Sequence, residues 1–474
     1  MRLPEEFVEY MDQCFQRNGV ERAGFYESFD ADSFKGIRLN RSKVESSAYA
    51  GVLTSLNEKI DKVPWCDSGF YTENESSGND PYYHAGVYYP QDPSAMLPAQ
   101  VMGVKRGDKV LDLCAAPGGK ATRLGEDLQG EGLLIANEIN ENRAKALLRN
   151  VERMGLTNTV ILNETPERLA DRFKGFFDKI LLDVPCSGEG MFRKDPNAVR
   201  SWERFGPDTC IPLQNLILEC ADAMLRPGGE LVYSTCTFGE REDEERIIEF
   251  MERHRDYEVI FHPEIEGVTH GGSNHILPGS MRIWPHLSRG EGHFCVHLKK
   301  SESAETETYK PEKLPSYRMK RDDNYGFGKS RDAFVSFMKE ITTEKPDLSG
   351  FNMNKENIHL MPIDPRYLSG LKVVKFGLFP GSIKATTTER LFIPSHSLAL
   401  TLKRELIRED SLLSLTREDP RLTRYLKGET ITADQGLKKK GYILIGVDGF
   451  PVGFGKVSPD GSVKNLYPKA WRLI

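Results

Sequence analysis

Between about residue 107 and residue 300, short β-branched or leucine-rich runs alternate with longer amphipathic runs, and this alternation most narrows the folds open to the chain. Strand candidates are 109–113, 132–137, 159–163, 178–183, 230–234 and 293–298. Helical candidates lie between them at 121–128, 140–154, 213–225 and 241–253. Strands joined through helices pair in parallel, with helices on both faces of the sheet. The fold class is therefore α/β, and in such a sheet ligands bind beyond the carboxyl ends of the strands. Gly118 and Gly119 punctuate the first strand–helix turn, and Pro227-Gly228-Gly229 is expected to end a helix before the next strand.

A chain of 474 residues exceeds one core. Residues 1–100 form an N-terminal region, opening with a helix whose buried face would carry Phe7, Val8, Met11 and Phe15. The tyrosine- and glycine-rich stretch 70–90 reads as loop or short strands, and Asp92-Pro93-Ser94 as a helix start. Residues 101–300 are the α/β domain, 301–327 a polar linker, 328–425 an intermediate domain and 426–474 a β-rich module. In that last module Asp448-Gly449 sits between two apolar runs, a strong hairpin signal. Charge is uneven: residues 301–474 hold 29 Lys+Arg against 22 Asp+Glu, whereas residues 1–300 hold 35 against 48. A basic tail on an acidic protein points to a polyanionic partner.

No stretch nears 18 uninterrupted apolar residues, so no membrane-spanning helix is expected. The acidic start Met1-Arg2-Leu3-Pro4-Glu5-Glu6 does not read as a secretory leader. Eight cysteines without a C-x-x-C pair indicate neither a zinc ribbon nor a disulfide framework, and a cytoplasmic location with reduced thiols is expected. The histidines between 270 and 297 are irregularly spaced, and no metal site is expected among them.

Chemistry concentrates at four strand ends. Asp112-Leu113-Cys114-Ala115-Ala116-Pro117-Gly118-Gly119-Lys120 follows the first strand, where a doubly wound fold holds a nucleoside cofactor. It lacks the spacing of a dinucleotide fingerprint or a phosphate loop. Glu138 ends the second strand, a position from which a carboxylate reaches ribose hydroxyls. Asp183-Val184-Pro185-Cys186-Ser187-Gly188 follows the fourth strand and Ser234-Thr235-Cys236-Thr237 the next. One such cysteine reads as a small buried hydrophobe. Two at neighbouring strand ends suggest covalent chemistry, one thiol attacking and the other assisting.

These strings, with the continuation Glu189-Gly190, resemble the RNA 5-methylcytosine methyltransferases of the Sun/nucleolar-protein family over residues 90–300. The layout is similar to the bacterial branch acting on small-subunit (16S) ribosomal RNA, the methyltransferase F group, whose C-terminal region ends in a PUA-like RNA-binding module. The resemblance implies a Rossmann-like S-adenosylmethionine methyltransferase core with an N-terminal α+β extension and a C-terminal PUA-like module. It implies that Cys114, Ala115, Ala116, Pro117, Gly118, Gly119 and Lys120 hold S-adenosylmethionine, that Glu138 binds its ribose, that Asn163 lies near its adenine, and that Asp183 faces both cofactor and target base. It further implies Cys236 as nucleophile and Cys186 as its helper.

Carbon 5 of cytosine is too weak a nucleophile until a thiolate adds to carbon 6. Activating Cys236 requires a lowered pKa, and Lys120 is the candidate positive charge. RNA must also be gripped and its target base unstacked. Arg38 and Asn40 resemble a polar spot in the family's RNA-facing N-terminal region. Arg193, Lys194 and Lys438-Lys439-Lys440 are candidates for phosphate contact, since residues 421–474 carry 10 basic against 4 acidic groups. RNA is the expected partner, 16S ribosomal RNA or the small subunit foremost, and the protein is expected to be a monomer. Three other readings stand beside this one: a non-catalytic RNA-binding assembly factor, an enzyme acting on tRNA, and a DNA cytosine methyltransferase attacking through Cys186.

Overall fold

The alternating segment folds into a ten-stranded mixed sheet. The structure is a computed structural model and describes residues 2–18, 22–73, 77–273, 275–308, 326–387, 389–434, 437 and 439–473. Three strands, β1 (Gly36–Leu39), β2 (Gly69–Tyr71) and β3 (Tyr88–Pro90), make a small antiparallel N-terminal sheet in the order β2-β1-β3. The main sheet then takes β4 (Lys109–Asp112), β5 (Leu133–Asn137), β6 (Thr159–Leu162), β7 (Phe177–Asp183) and β8 (Leu225–Thr235), all mutually parallel in the order β6-β5-β4-β7-β8. Antiparallel β12 (His293–Lys300) continues it, flanked by β9 (Tyr257–Val259), β10 (Thr269–His270) and β11 (Met281–Ile283). Helices cover both faces, which is why the middle residues of β4 to β8, such as Val110-Leu111, Ile180-Leu181-Leu182 and Leu231-Val232, are apolar on both sides rather than alternating.

Several local expectations are corrected. Pro227-Gly228-Gly229 does not end a helix. The helix stops at Met224, Leu225 already pairs with Phe177, and Glu230 pairs with Lys179, so residues 226–229 bulge out of the ladder. Proline has no N–H to give a ladder, and Gly228 takes φ 71°, which suits glycine. The helix expected at 213–225 runs from Pro196 to Met224, broken at Gly206 ahead of Pro207; its polar first half hid it from periodicity. A short helix, Pro166–Arg172, capped by Thr165, lies between β6 and β7. The helix expected from 241 starts at Glu244.

The N-terminal helix Glu5–Asn18 buries Phe7, Met11, Cys14 and Phe15 against Phe192, Trp202, Phe238 and Trp284, tying it to the loops beyond β7 and β8. Farther along, the strand Val373–Phe376 leaves the 328–425 region and extends the main sheet, antiparallel to β6. The β-rich C-terminal unit begins before 426: strand Leu412–Leu415 pairs in parallel with Gly441–Val447. The Asp448-Gly449 turn takes φ 45° and 89°, the positive pair that a two-residue hairpin of this twist needs. This unit shares a core with the N-terminal region, Leu39 of β1 and Val52 and Tyr82 of its short helices joining Leu413, Tyr425 and Val452. Arg417 pairs with Asp80 at 2.9 Å across that junction. Of the linker 301–327, residues 309–325 lie outside the described residues. No helix among the described residues is long and apolar enough to cross a membrane.

Candidate active site

The loop after β4 is drawn tightly against the helix Glu141–Arg153. Asn150 Nδ2 donates to Pro117 O at 2.8 Å and Arg143 Nη2 to Ala116 O at 2.8 Å. Gly118 takes φ 117°, and a Cβ there would lie 3.2 Å from Leu147 Cδ1, so the close approach needs glycine. The helix Gly119–Asp127 starts directly from this loop. Beyond β5, Glu138 is buried, its Oε1 accepting from Asn140 N at 2.8 Å and its Oε2 lying 3.4 Å from Arg143. Beyond β6, both hydrogens of the Asn163 amide are engaged, Nδ2 donating to Glu138 O and Ile139 O, while Oδ1 accepts from Lys372 Nζ and keeps one acceptor site.

Asp183 ends β7 and is the electrostatic centre of the site. Its Oδ2 lies 2.8 Å from Lys120 Nζ, its Oδ1 accepts from Ser234 Oγ at 3.0 Å, and His293 Nε2 lies 3.7 Å away. Burial alone would raise the Asp183 pKa, but its polar partners, Lys120 foremost, together outweigh it and hold the group below the usual carboxylate range. Burial likewise pulls Lys120 down, and Asp183 more than restores it, so the amine stays charged; Cys236 and Asp112 add to that field. Burial, with Lys120 beside it, lowers His293 to about 3, leaving it neutral.

The two thiols meet because β7 and β8 are neighbours with Asp183 in register with Ser234. Cys186 Sγ and Cys236 Sγ are 3.3 Å apart. Sharing that hydrogen bond with Cys236, and then burial, push the Cys186 thiol well above its ordinary value, so it remains protonated at neutral pH. Cys114, in the loop after β4, is raised by burial. Cys14, Cys66, Cys220 and Cys295 are buried.

A family model described as 16S rRNA methyltransferase RsmB/F matches residues 99–299, over the whole of this site. Models for the RsmF N-terminal domain, the RsmF first C-terminal domain and the RsmF PUA domain match 3–93, 336–402 and 413–473. The ribosomal RNA small subunit methyltransferase F of Shewanella amazonensis is 30% identical over 443 residues, spanning 91% of this chain and 90% of that protein. The chain belongs to the ribosomal RNA small subunit methyltransferase F family. The member from Aeromonas salmonicida is 34% identical over 324 residues, covering 66% of this chain and 67% of its own. Among solved structures, a methyltransferase homologue from Pyrococcus horikoshii gives a TM-score of 0.54 at 27% identity, covering 62% of this chain and 94% of that one. NSun6 from the same organism, solved with SFG, shares the fold at TM-score 0.53 and 21% identity, over 63% of this chain and 98% of its own.

S-adenosylmethionine is the cofactor of this methyltransferase family, and the residues present fit it. Asp112 is buried at the end of β4, and neither carboxyl oxygen has a hydrogen-bond partner of normal geometry among the described residues. An orphaned acid there suits the ammonium of an amino-acid group. Burial, with the Asp183 carboxylate adding and Lys120 partly offsetting, raises Asp112 to about 8. Asp112, Ser234 and His293 received no role from the motifs. An acid directly after the apolar pair Val110-Leu111, at a buried strand end, was the available signal for the first.

Other expectations are corrected. Arg38 and Asn40 are buried and do not face RNA. Arg38 Nη1 meets Glu126 Oε1 at 2.6 Å and Nη2 donates to Thr122 Oγ1 at 2.8 Å, while Asn40 donates to Gly86 O and Met154 O. Both residues tie β1 to the α/β domain. The Arg193 side chain is enclosed, paired with Glu291 at 2.7 Å and donating to Ser28 O, so its charge is not free for a phosphate. Lys194 is exposed and paired with Asp92, so its charge still reaches solvent and the structure does not exclude it as a phosphate contact. Lys439 donates to Glu340 O and Ser411 Oγ, Lys440 is exposed, and Lys438 lies outside the described residues. A basic residue in sequence is a phosphate contact only when its charge reaches solvent, and burial is not a local property.

Proposed function

We propose that this protein methylates carbon 5 of a cytosine in 16S ribosomal RNA through a covalent adduct of Cys236, acting as a monomer in the cytoplasm. The observation that carries the reading is the 3.3 Å approach of two thiols at adjacent strand ends, beside the Lys120–Asp183 pair. Residues 114–120, Glu138 and Asp183 would hold the cofactor, with Asn163 beside Glu138 beyond them. Bound S-adenosylmethionine supplies an electrophilic methyl group on its sulfonium sulfur.

The target nucleotide leaves its stack and enters the pocket. The Cys236 thiolate adds to carbon 6, forming a C–S bond and pushing electron density onto carbon 5. Lys120 supports the thiolate through its field rather than by contact, since its amine is held by Asp183. Asp183, ionised, accepts a hydrogen bond from the base and stabilises a proton on ring nitrogen 3. Once carbon 5 is substituted, its original proton is lost to a base, the C5–C6 double bond re-forms, and the C–S bond breaks. Cys186, kept protonated, donates a hydrogen bond to the departing sulfur. The PUA module and the basic C-terminal region fit an RNA partner.

The deciding experiment pairs two variants on 16S RNA from cells lacking the gene. Cys236→Ala is expected to bind the cofactor and transfer no methyl group. Cys186→Ala is expected to accumulate an RNA–protein adduct that survives denaturant. Retained transfer by Cys236→Ala, with loss in Cys186→Ala, would make Cys186 the nucleophile and overturn the reading. Bisulfite mapping of RNA from cells with and without the gene identifies the substrate; loss of the mark from tRNA alone would move it there.

A further inference from the structure

Glu189 follows Cys186 by three residues, in the turn Glu189–Met191, and is fully buried. Its Oε2 accepts three hydrogen bonds from the segment just after Cys236: Thr237 Oγ1 at 2.8 Å, Phe238 N at 2.8 Å and Gly239 N at 3.1 Å. Its Oε1 accepts from Trp202 Nε1 at 3.1 Å. The neighbouring Gly190 N donates to Cys236 O at 2.9 Å. A Cβ on Gly190 would come within 3.1 Å of Cys236 O and 2.9 Å of Gly292 O, so the two loops are as close as their backbones allow.

We infer that Glu189 is a positioning residue that fastens the Cys186 loop to the Cys236 loop and thereby sets the distance between the two thiols. The inference rests on the roles proposed for Cys236 and Cys186. The carboxyl group touches neither thiol, so its effect runs through the backbone of both loops. A carboxylate suits the place because all four facing groups are donors. Glutamine there would turn an N–H₂ toward either the three-donor side or Trp202, and leave at least one buried donor unpaired. The nucleophile sits on its own strand end, held by β8, whereas the Cys186 loop has no strand beyond Asp183. Loosening the clamp therefore frees Cys186 first, and release suffers more than addition.

The test uses full-length Glu189→Gln with 16S RNA and S-adenosylmethionine, read on a denaturing gel beside Cys186→Ala and Cys236→Ala, with cofactor binding as the measure of folding. Steady-state turnover is expected to fall on the order of 10²-fold, the scale of a misplacement near 1 Å. A denaturant-resistant adduct should accumulate as it does for Cys186→Ala. Thr237→Val, which removes one of the four donors, should show the same adduct, and Thr237→Ser should not. A cofactor-binding Glu189→Gln that turns over like the wild type, or loses turnover without adduct, overturns the inference. Should that variant fail to fold, the Thr237 pair decides: adduct in Val alone supports the clamp, and adduct in neither overturns it. No adduct from Cys186→Ala itself would sink the release role of Cys186, and the inference with it.

Discussion

Cys186 and Cys236, fifty positions apart in the chain, bring their sulfur atoms to within 3.3 Å of each other. Parallel pairing of β7 with β8 produces this, because each cysteine follows the carboxyl end of its strand. If addition precedes loss of the carbon 5 proton, a target cytosine carrying fluorine at carbon 5 has no proton to lose there. Wild-type protein should then be trapped on such RNA in a one-to-one, cofactor-dependent adduct, and Cys236→Ala should not. Trapping that persists in Cys236→Ala would contradict the assignment.

Lys120 and Asp183 test the electrostatics. Lys120→Met removes the charge that does most to offset the burial of Asp183, so the Asp183 pKa should rise. The ionised carboxylate is the working form, so the acid limb of the kcat/KM profile should move to higher pH, and kcat should fall on the order of 10²-fold. An unmoved limb would separate Asp183 from the rate.

Asp112 makes a prediction about stability. Its pKa in the folded protein, about 8, lies above the ordinary carboxylate value. A raised folded pKa means that stability is present with the group protonated and is lost as pH rises through 8. Asp112→Asn should therefore melt above the wild type at pH 8 without cofactor, and the gap should close as pH falls toward 4. The same variant should bind S-adenosylmethionine about tenfold or more weakly, having lost the charge for the ammonium. Equal melting temperatures at pH 8 would show that the acid is not strained.

Arg38→Ala should destabilise the protein by about 3–5 kcal/mol, since it leaves the Glu126 carboxyl buried without its 2.6 Å partner. Replacing both partners with methionine should cost less than the single change. Urea midpoints of the two variants and the wild type measure this. Wild-type stability in Arg38→Ala, with weaker RNA binding, would return Arg38 to the RNA-facing role.

The chain by itself determined the α/β order, the loop at 112–120, the strand-end cysteines and the Asp448-Gly449 hairpin. Each depends on neighbours within a few positions: apolar runs of strand length, glycines at turns, a two-residue turn between apolar runs. Tertiary structure alone decided which charges are free. Arg38 and Arg193 look like RNA contacts in a string of letters, and both are spent on buried carboxylates drawn from distant segments, Glu126 and Glu291. The Val373–Phe376 strand, a short apolar run on its own, joins the main sheet only because β6 offers it an edge. The loop tie through Glu189 was equally hidden, since three of its four donors arrive from some fifty residues away. Local periodicity records what a segment can become; burial and pairing depend on what folds against it.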